Sequence, residues 1–136
     1  MKQPTEQNTR RPAEVEIISI TTTIYIGLSI FGLIIVLLLL PFQAWADVEI
    51  IPFPFPFIML IIIVLLGKIN FDFLRLKKWA LSAMFILQFI YIIGSVYTII
   101  VIGTPFIQIV SIVNIGMSAL NLNYLNKSSV KQAFGL

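Results

Sequence analysis

A chain of 136 residues has room for one domain, and its composition is that of a membrane protein. Hydrophobic residues make up 59% and charged residues 11%, against roughly 45–50% and about 25% in soluble chains. The net charge of +3 does not indicate nucleic acid, because the basic residues are distributed by membrane side. Without His or Cys, the usual zinc, haem and iron–sulfur ligands and Ser-His or Cys-His catalysis are excluded, and no cofactor or metal is expected.

Four apolar segments predict an all-α, four-span transmembrane helical bundle. The first segment is 24 residues long and uncharged, enough to cross a core of about 30 Å, and Pro41 is predicted to end it. A polar disordered tail, residues 1–16, is predicted before it, and a polar segment, residues 126–136, after the last span. The predicted spans are 17–40, 54–70, 79–102 and 106–125, which together form the transmembrane domain 17–125.

The second span and the two connections that follow it are all predicted to be short. The second span contains an uninterrupted apolar run of only ten residues, 57–66, so it must extend to Pro54 in a first turn and past Lys68, which can snorkel outward. Residues 70–78 mix apolar and cationic side chains and predict a short interfacial connection. Gly103, Thr104 and Pro105 predict a tight turn, which makes the third and fourth spans a tight antiparallel hairpin.

The first connection, residues 41–56, holds four prolines and is predicted to be a loop along the membrane interface. Its alternating Pro and Phe residues favour a stiff extended strand, suited either to an interfacial aromatic belt or to a partner's groove. Ala44-Trp45-Ala46 also resembles a signal-peptidase site, but the preceding 24-residue apolar stretch is longer than the 7 to 15 residues usual in a signal peptide.

The residues predicted at the membrane interfaces are Trp45, Phe53, Phe55, Lys68, Arg75, Lys77, Lys78 and Trp79.

The distribution of charge predicts the orientation. With four spans, all nine Lys and Arg residues fall on one side, whereas residues 41–56 and 103–105 carry none of them and two acids. Because cytoplasmic loops accumulate Lys and Arg, both termini are predicted to be cytoplasmic. Three or five spans would scatter these charges.

Polar residues recur at helical spacing in the third and fourth spans. In each span they are separated by three, four and three residues, which places them on one face. Folding the hairpin at its turn brings together pairs whose numbers sum to 209. The predicted interhelical seam is Gln88 with Asn121, Tyr91 with Ser118, Ser95 with Asn114, and Thr98 with Ser111.

Two interpretations of the seam stay open: hydrogen-bonded glue between helices, or a track for a small neutral solute. Each contact is worth about 0.6 kcal/mol, so hydrogen bonds between the helices would specify their register more than they would add stability.

In the first span, Ser19, Thr23 and Gly27 form a column of small residues that predicts a helix-packing face.

Two short segments carry a resemblance: Leu76-Lys77-Lys78-Trp79-Ala80, and the end of the chain with Tyr124-Leu125-Asn126, Val130-Lys131 and Ala133-Phe134. Together they resemble a group of small, uncharacterised four-helix integral membrane proteins of bacteria and archaea. The resemblance covers about a fifth of the chain and implies a four-span fold, but no activity or functional residue. The alternating Pro and Phe residues at positions 52–57 are not a feature of that group.

The expected function is that of a non-enzymatic membrane protein acting by helix packing, as an accessory subunit or small homo-oligomer. Its expected partners are the lipid bilayer and another membrane protein or a second copy, in the cytoplasmic (inner) membrane of a prokaryote. The alternative is a channel or carrier for a small neutral solute along the seam. No catalytic residues are predicted, because no Asp, Glu, Lys or Arg lies deep in a span and the chain lacks His, Cys and a glycine-rich phosphate loop.

Overall fold

The computed structural model describes residues 11–46, 51–102 and 104–136, and in these segments it contains helices and no strand. The helices are α1 Ala13–Ala46, α2 Phe55–Leu74, α3 Lys78–Ile102, α4 Pro105–Leu125 and α5 Ser128–Ala133. The first four are long and apolar enough to cross a membrane, which confirms the prediction of an all-α chain with four such helices.

Helix α1 is longer than predicted at both ends. It begins at Ala13, so the prediction of a disordered tail is wrong for residues 13–16; residues 1–10 lie outside the described segments. Glu14 and Glu16 lie in its first turn, where the positive end of the helix dipole favours acids. The helix then continues through Pro41, because a proline removes a single backbone donor while ending a helix in apolar surroundings would expose several.

The connection between α1 and α2 is shorter and less extended than predicted. Residues 41–46 are helical, residues 47–50 lie outside the described segments, and Pro54 already has helical dihedrals (φ −72°, ψ −14°). The extended strand expected from the alternating Pro and Phe residues is therefore wrong from Pro54 onward, because prolines fit the first turn of α2. The Gln43 side chain secures this connection through two hydrogen bonds, donating to the Ile51 carbonyl at 2.9 Å and accepting from its N–H at 2.6 Å.

Helix α2 also extends beyond its predicted end, from residue 70 to Leu74, which leaves three residues before α3. It ends in a Schellman motif: the N–H of Leu76 donates to the Phe73 carbonyl at 2.9 Å, and that of Lys77 to the Asp72 carbonyl at 3.1 Å. Leu76 adopts φ 57° at the position where glycine is usual. This tight cap turns the chain directly into α3.

The bundle has two unlike ends. The end that carries the described basic residues is called the basic end, and the opposite end, where α1 finishes and α2 begins, is called the open end. Helix α1 packs mainly on α2, and α3 mainly on α4. The buried apolar side chains cluster at the basic end and are Val15, Ile18, Leu66, Ile69, Phe73, Ala80, Leu81, Met84, Leu87, Leu125, Val130 and Phe134.

The C-terminal segment completes this core. Helix α5 contributes Val130, and the ring of Phe134 lies 5.1 Å from that of Phe73. Lys127 Nζ lies 2.9 Å from Glu14 Oε1 and joins this segment to the start of α1. The predicted polar segment 126–136 therefore closes the basic end of the bundle.

Candidate functional site: a polar seam and its cleft

Two of the four predicted seam pairs are hydrogen-bonded between α3 and α4. Asn121 Nδ2 donates to Gln88 Oε1 at 3.4 Å, and Asn114 Nδ2 donates to Ser95 Oγ at 2.5 Å. Both are pairs that the helical spacing of polar residues in the sequence predicts. The amides and Ser95 thus face the neighbouring helix.

The other two pairs are not joined by hydrogen bonds. The Thr98 hydroxyl donates to the Gly94 carbonyl of its own helix at 2.8 Å. Tyr91 Oη and Ser118 Oγ are buried without a hydrogen-bond partner. Ser111 is buried and lines the same cleft as Thr98.

Helix α1 adds a residue that sequence reasoning missed. The Tyr25 hydroxyl donates to Asn114 Oδ1, and the Tyr25 ring lies 4.7 Å from that of Tyr91. Its signal in the sequence is a tyrosine at helical spacing from Thr22 and Ser29 in the uncharged first span. This contact places α1 against the seam.

Toward the open end, the seam widens into a polar cleft of about 440 Å³ between α1, α3 and α4. A side-chain carbon added at Gly94 would have no neighbouring heavy atom within 4 Å, so none of the described helices covers that position. The cleft is lined by Tyr25, Ile90, Tyr91, Gly94, Ser95, Thr98, Val110, Ser111 and Asn114.

Toward the basic end, the seam holds unpaired polar atoms and is then closed. Gln88 Nε2 and Asn121 Oδ1 have no hydrogen-bond partner, although both residues are fully buried. A buried polar atom without a partner costs free energy. Beyond them, the fully buried side chains of Met84, Leu125 and Val130 belong to the apolar core. The seam is thus a polar crevice closed at the basic end.

The predicted column of small residues on α1 is a contact face along only part of its length. Ser19 is buried, and Thr23 Oγ1 accepts a hydrogen bond from Asn70 Nδ2 of α2 at 3.0 Å. Gly27 is exposed with no heavy atom within 4 Å of an added side-chain carbon, so the expected close approach there is wrong for the single chain. The helices approach near the basic end and leave Gly27 uncovered.

A buried acid at the basic end was also missed by the sequence analysis. The Asp72 carboxylate has a side-chain exposure of 3% and lies 3.2 Å from Lys68 Nζ and 2.8 Å from Lys77 Nζ. Lys68 also lies 5.9 Å from the centre of the Trp79 ring, and Arg75 lies 4.1 Å from that of Phe71. Lys68, Asp72, Lys77 and Trp79 thus form a connected cluster.

The remaining interfacial candidates lie apart from this cluster. Trp45 and Phe53 are strongly exposed and Phe55 is exposed; all three lie at the open end. Lys78 instead lies beside Gly135, whose added side-chain carbon would meet Lys78 Cε at 3.3 Å. The predicted interfacial residues therefore divide between the two ends of the bundle.

The described residues contain no group of three or more His, Cys, Asp and Glu side chains arranged to hold a metal ion. Comparison of the chain with protein-family models, with curated proteins and with solved structures finds no match. The resemblance to small four-helix membrane proteins stays a prediction. The polar crevice and its surroundings are the features of the molecule that bear on its function.

Proposed function

We propose that this protein is a non-enzymatic, multi-pass integral membrane protein that acts by packing against another membrane-spanning chain. It would serve as an accessory subunit or as one copy of a small homo-oligomer. The observation that carries this proposal is the polar cleft at the open end, which lies among helices suited to cross a membrane.

The chemistry of the cleft favours a helix as its occupant. The Tyr91 hydroxyl lines the cleft without a hydrogen-bond partner among the described residues, and hydrocarbon would leave it unpaired. A transmembrane helix can offer a polar side chain to it. The uncovered Gly94 is a small residue, which lets another backbone approach closely. The partner is thus expected to cover α3 and α4 beside the end of the seam.

The orientation is part of the proposal: both termini in the cytoplasm of a prokaryotic cell, with α3 and α4 a tight antiparallel hairpin. The gathering of basic residues at one end supports this orientation. A membrane-impermeant thiol reagent tests it on intact cells. Phe53→Cys should be labelled directly and Gln132→Cys only after permeabilisation; the reverse pattern would overturn the orientation.

Site-specific cross-linking in native membranes tests the partner. The chain has no cysteine, so a single Thr98→Cys variant can carry a thiol-directed cross-linker at the cleft. Ile100→Cys is the matched control, because it lies only two residues away, is 76% exposed and points to the opposite side of α3. Thr98→Cys should yield one stoichiometric cross-linked product, identified by mass spectrometry, and Ile100→Cys should yield none.

The product also separates the two forms of the proposal. A foreign membrane protein would identify an accessory subunit, and a self-linked product would identify a homo-oligomer. Equal cross-linking at both positions, or none at either, would contradict the proposal.

A second candidate, a route for a small neutral solute along the crevice, has support from a different observation. Gln88 Nε2, Ser118 Oγ and Asn121 Oδ1 are buried donors and acceptors that a neutral solute could bind. The apolar core at the basic end must open for such a route to cross the membrane. Osmotic shrinkage of proteoliposomes against glycerol or urea is the test: Asn114→Leu should abolish flux while the protein still inserts.

A further inference from the structure

An apolar groove of about 420 Å³ lies between α2 and α3 in the half of the bundle nearer the basic end. Its floor consists of the buried side chains of Leu66, Ile69 and Leu87, and its rims include the exposed Leu65 and Ile86. A groove with a buried floor and open rims differs from the ridged surface that a closely packed helix pair presents.

The length of this groove matches one lipid tail. Along α3 it extends from Ala83 to Tyr91, which is about 12 Å at 1.5 Å per residue. One leaflet contributes about 15 Å of a hydrocarbon core of about 30 Å. The groove can therefore hold most of one acyl chain that enters from the leaflet at the basic end.

The end of the groove nearest the basic end of the bundle, called its mouth, carries positive charge. Lys68 on α2 lies beside groove residue Ile69, and its Nζ lies 5.9 Å from the Trp79 ring of α3, one turn before Ala83. Its side chain is 66% exposed and therefore open to a headgroup. Since Lys68 and Lys77 share the single carboxylate of Asp72, the cluster keeps a net positive charge.

We propose that this groove binds a single anionic phospholipid, with one acyl chain between α2 and α3 and the headgroup phosphate beside Lys68 and Trp79. A zwitterionic lipid offers the same tails without a net negative charge, so the mouth selects the anionic lipid. The first turn of α3 lies at the positive end of its helix dipole, which also favours an anion. The groove meets the polar cleft at Ile90 and Tyr91, but the lipid site does not require the partner proposed there.

Native mass spectrometry of the full chain tests this site. The protein is released from nanodiscs that contain equal amounts of phosphatidylglycerol and phosphatidylcholine, and the lipids retained by each molecule are counted. The native chain should retain one phosphatidylglycerol. Lys68→Gln should reduce this retention about fivefold, the effect of one charge near the surface, and Ile86→Trp or Leu65→Trp, which fill the groove, should reduce retention of both lipids.

Matched substitutions outside the groove provide the controls. Ile24→Trp adds the same ring at an exposed position of α1, and Lys131→Gln removes a charge from α5. Both should retain the lipid as the native chain does. Equal retention of the two lipids by the native chain, or retention by Ile86→Trp and Leu65→Trp that matches Ile24→Trp, would overturn the proposal.

Discussion

The basic end and the open end of this bundle are built from the same kinds of helix, yet they are held together differently. At the basic end, fully buried side chains from all five helices meet, including Val15, Phe73, Met84, Leu125 and Val130. At the open end, the large side chains of α1 beyond Leu28 are mostly exposed, and polar groups line a cleft instead of a core.

This difference separates what the chain completes by itself from what it leaves to its surroundings. The basic end buries apolar side chains and pairs the acids Asp72 and Glu14 with lysines of the same chain. The cleft toward the open end carries the Tyr91 hydroxyl, which has no hydrogen-bond partner in the described residues and would find none in hydrocarbon. We therefore expect the stability of the isolated chain to depend on the basic end and its association to depend on the open end.

The largest expected change in the free energy of unfolding comes from truncating a side chain in the buried core of the basic end. Phe73→Ala removes a fully buried ring that contacts Phe134, and should lower the free energy of unfolding by about 3–5 kcal/mol. Phe57→Ala, an exposed phenylalanine at the open end, should change it by less than about 0.5 kcal/mol. Unfolding by denaturing detergent in mixed micelles measures both. Similar losses at the two positions would remove the distinction between the ends.

The next effect concerns the buried acid. Asp72→Asn removes the charge that holds Lys68 and Lys77, and should lower the free energy of unfolding, because the carboxylate has little solvent exposure. Glu14→Gln breaks the more exposed ion pair to Lys127 and should lower the free energy of unfolding by less. The same unfolding assay measures both. A larger loss for Glu14→Gln would show that burial does not set the strength of these pairs.

A substitution at the open end should separate association from stability. Gly94→Leu meets no neighbour in the isolated chain and replaces a glycine inside a helix, so the free energy of unfolding should not fall and should rise by up to about 1 kcal/mol. The added side chain blocks a close helix approach, so recovery of the cross-linked partner should fall about tenfold, or roughly 1.4 kcal/mol of association. Undiminished recovery would place the partner elsewhere.

The smallest effect compares two glycines. Gly135 has φ +73° and lies against Lys78, so Gly135→Ala should cost about 1 kcal/mol. Gly116 lies inside α4 with no neighbour within 4 Å, so Gly116→Ala should instead stabilise the chain by about 0.5–1 kcal/mol. Thermal unfolding in detergent should shift in opposite directions. Shifts of the same sign would contradict this assignment.

The sequence predicts the helices and part of the seam because both depend on local patterns. Apolar runs of sufficient length define spans, and the three, four, three spacing places Gln88 opposite Asn121 and Ser95 opposite Asn114. Such periodicity does not depend on distant parts of the chain.

The missed features depend on contacts between distant residues. Glu14 contacts Lys127 across nearly the whole chain, which helps to explain why residues 13–16 are helical rather than part of a tail. Tyr25 lies at helical spacing from Thr22 and Ser29, but this pattern does not show which helix the tyrosine contacts. Asp72 is buried where the C-terminal segment packs against the end of α2, and no local pattern indicates this contact.

Thiol accessibility in native membranes tests most directly whether the open end is completed from outside the chain. Thr98→Cys should react slowly with N-ethylmaleimide in native membranes and quickly once the chain is isolated as a single copy in detergent, whereas Ile100→Cys should show no such difference between the two states beyond the general effect of detergent. Equal change at the two positions would show that the cleft faces lipid in the cell and would contradict the account.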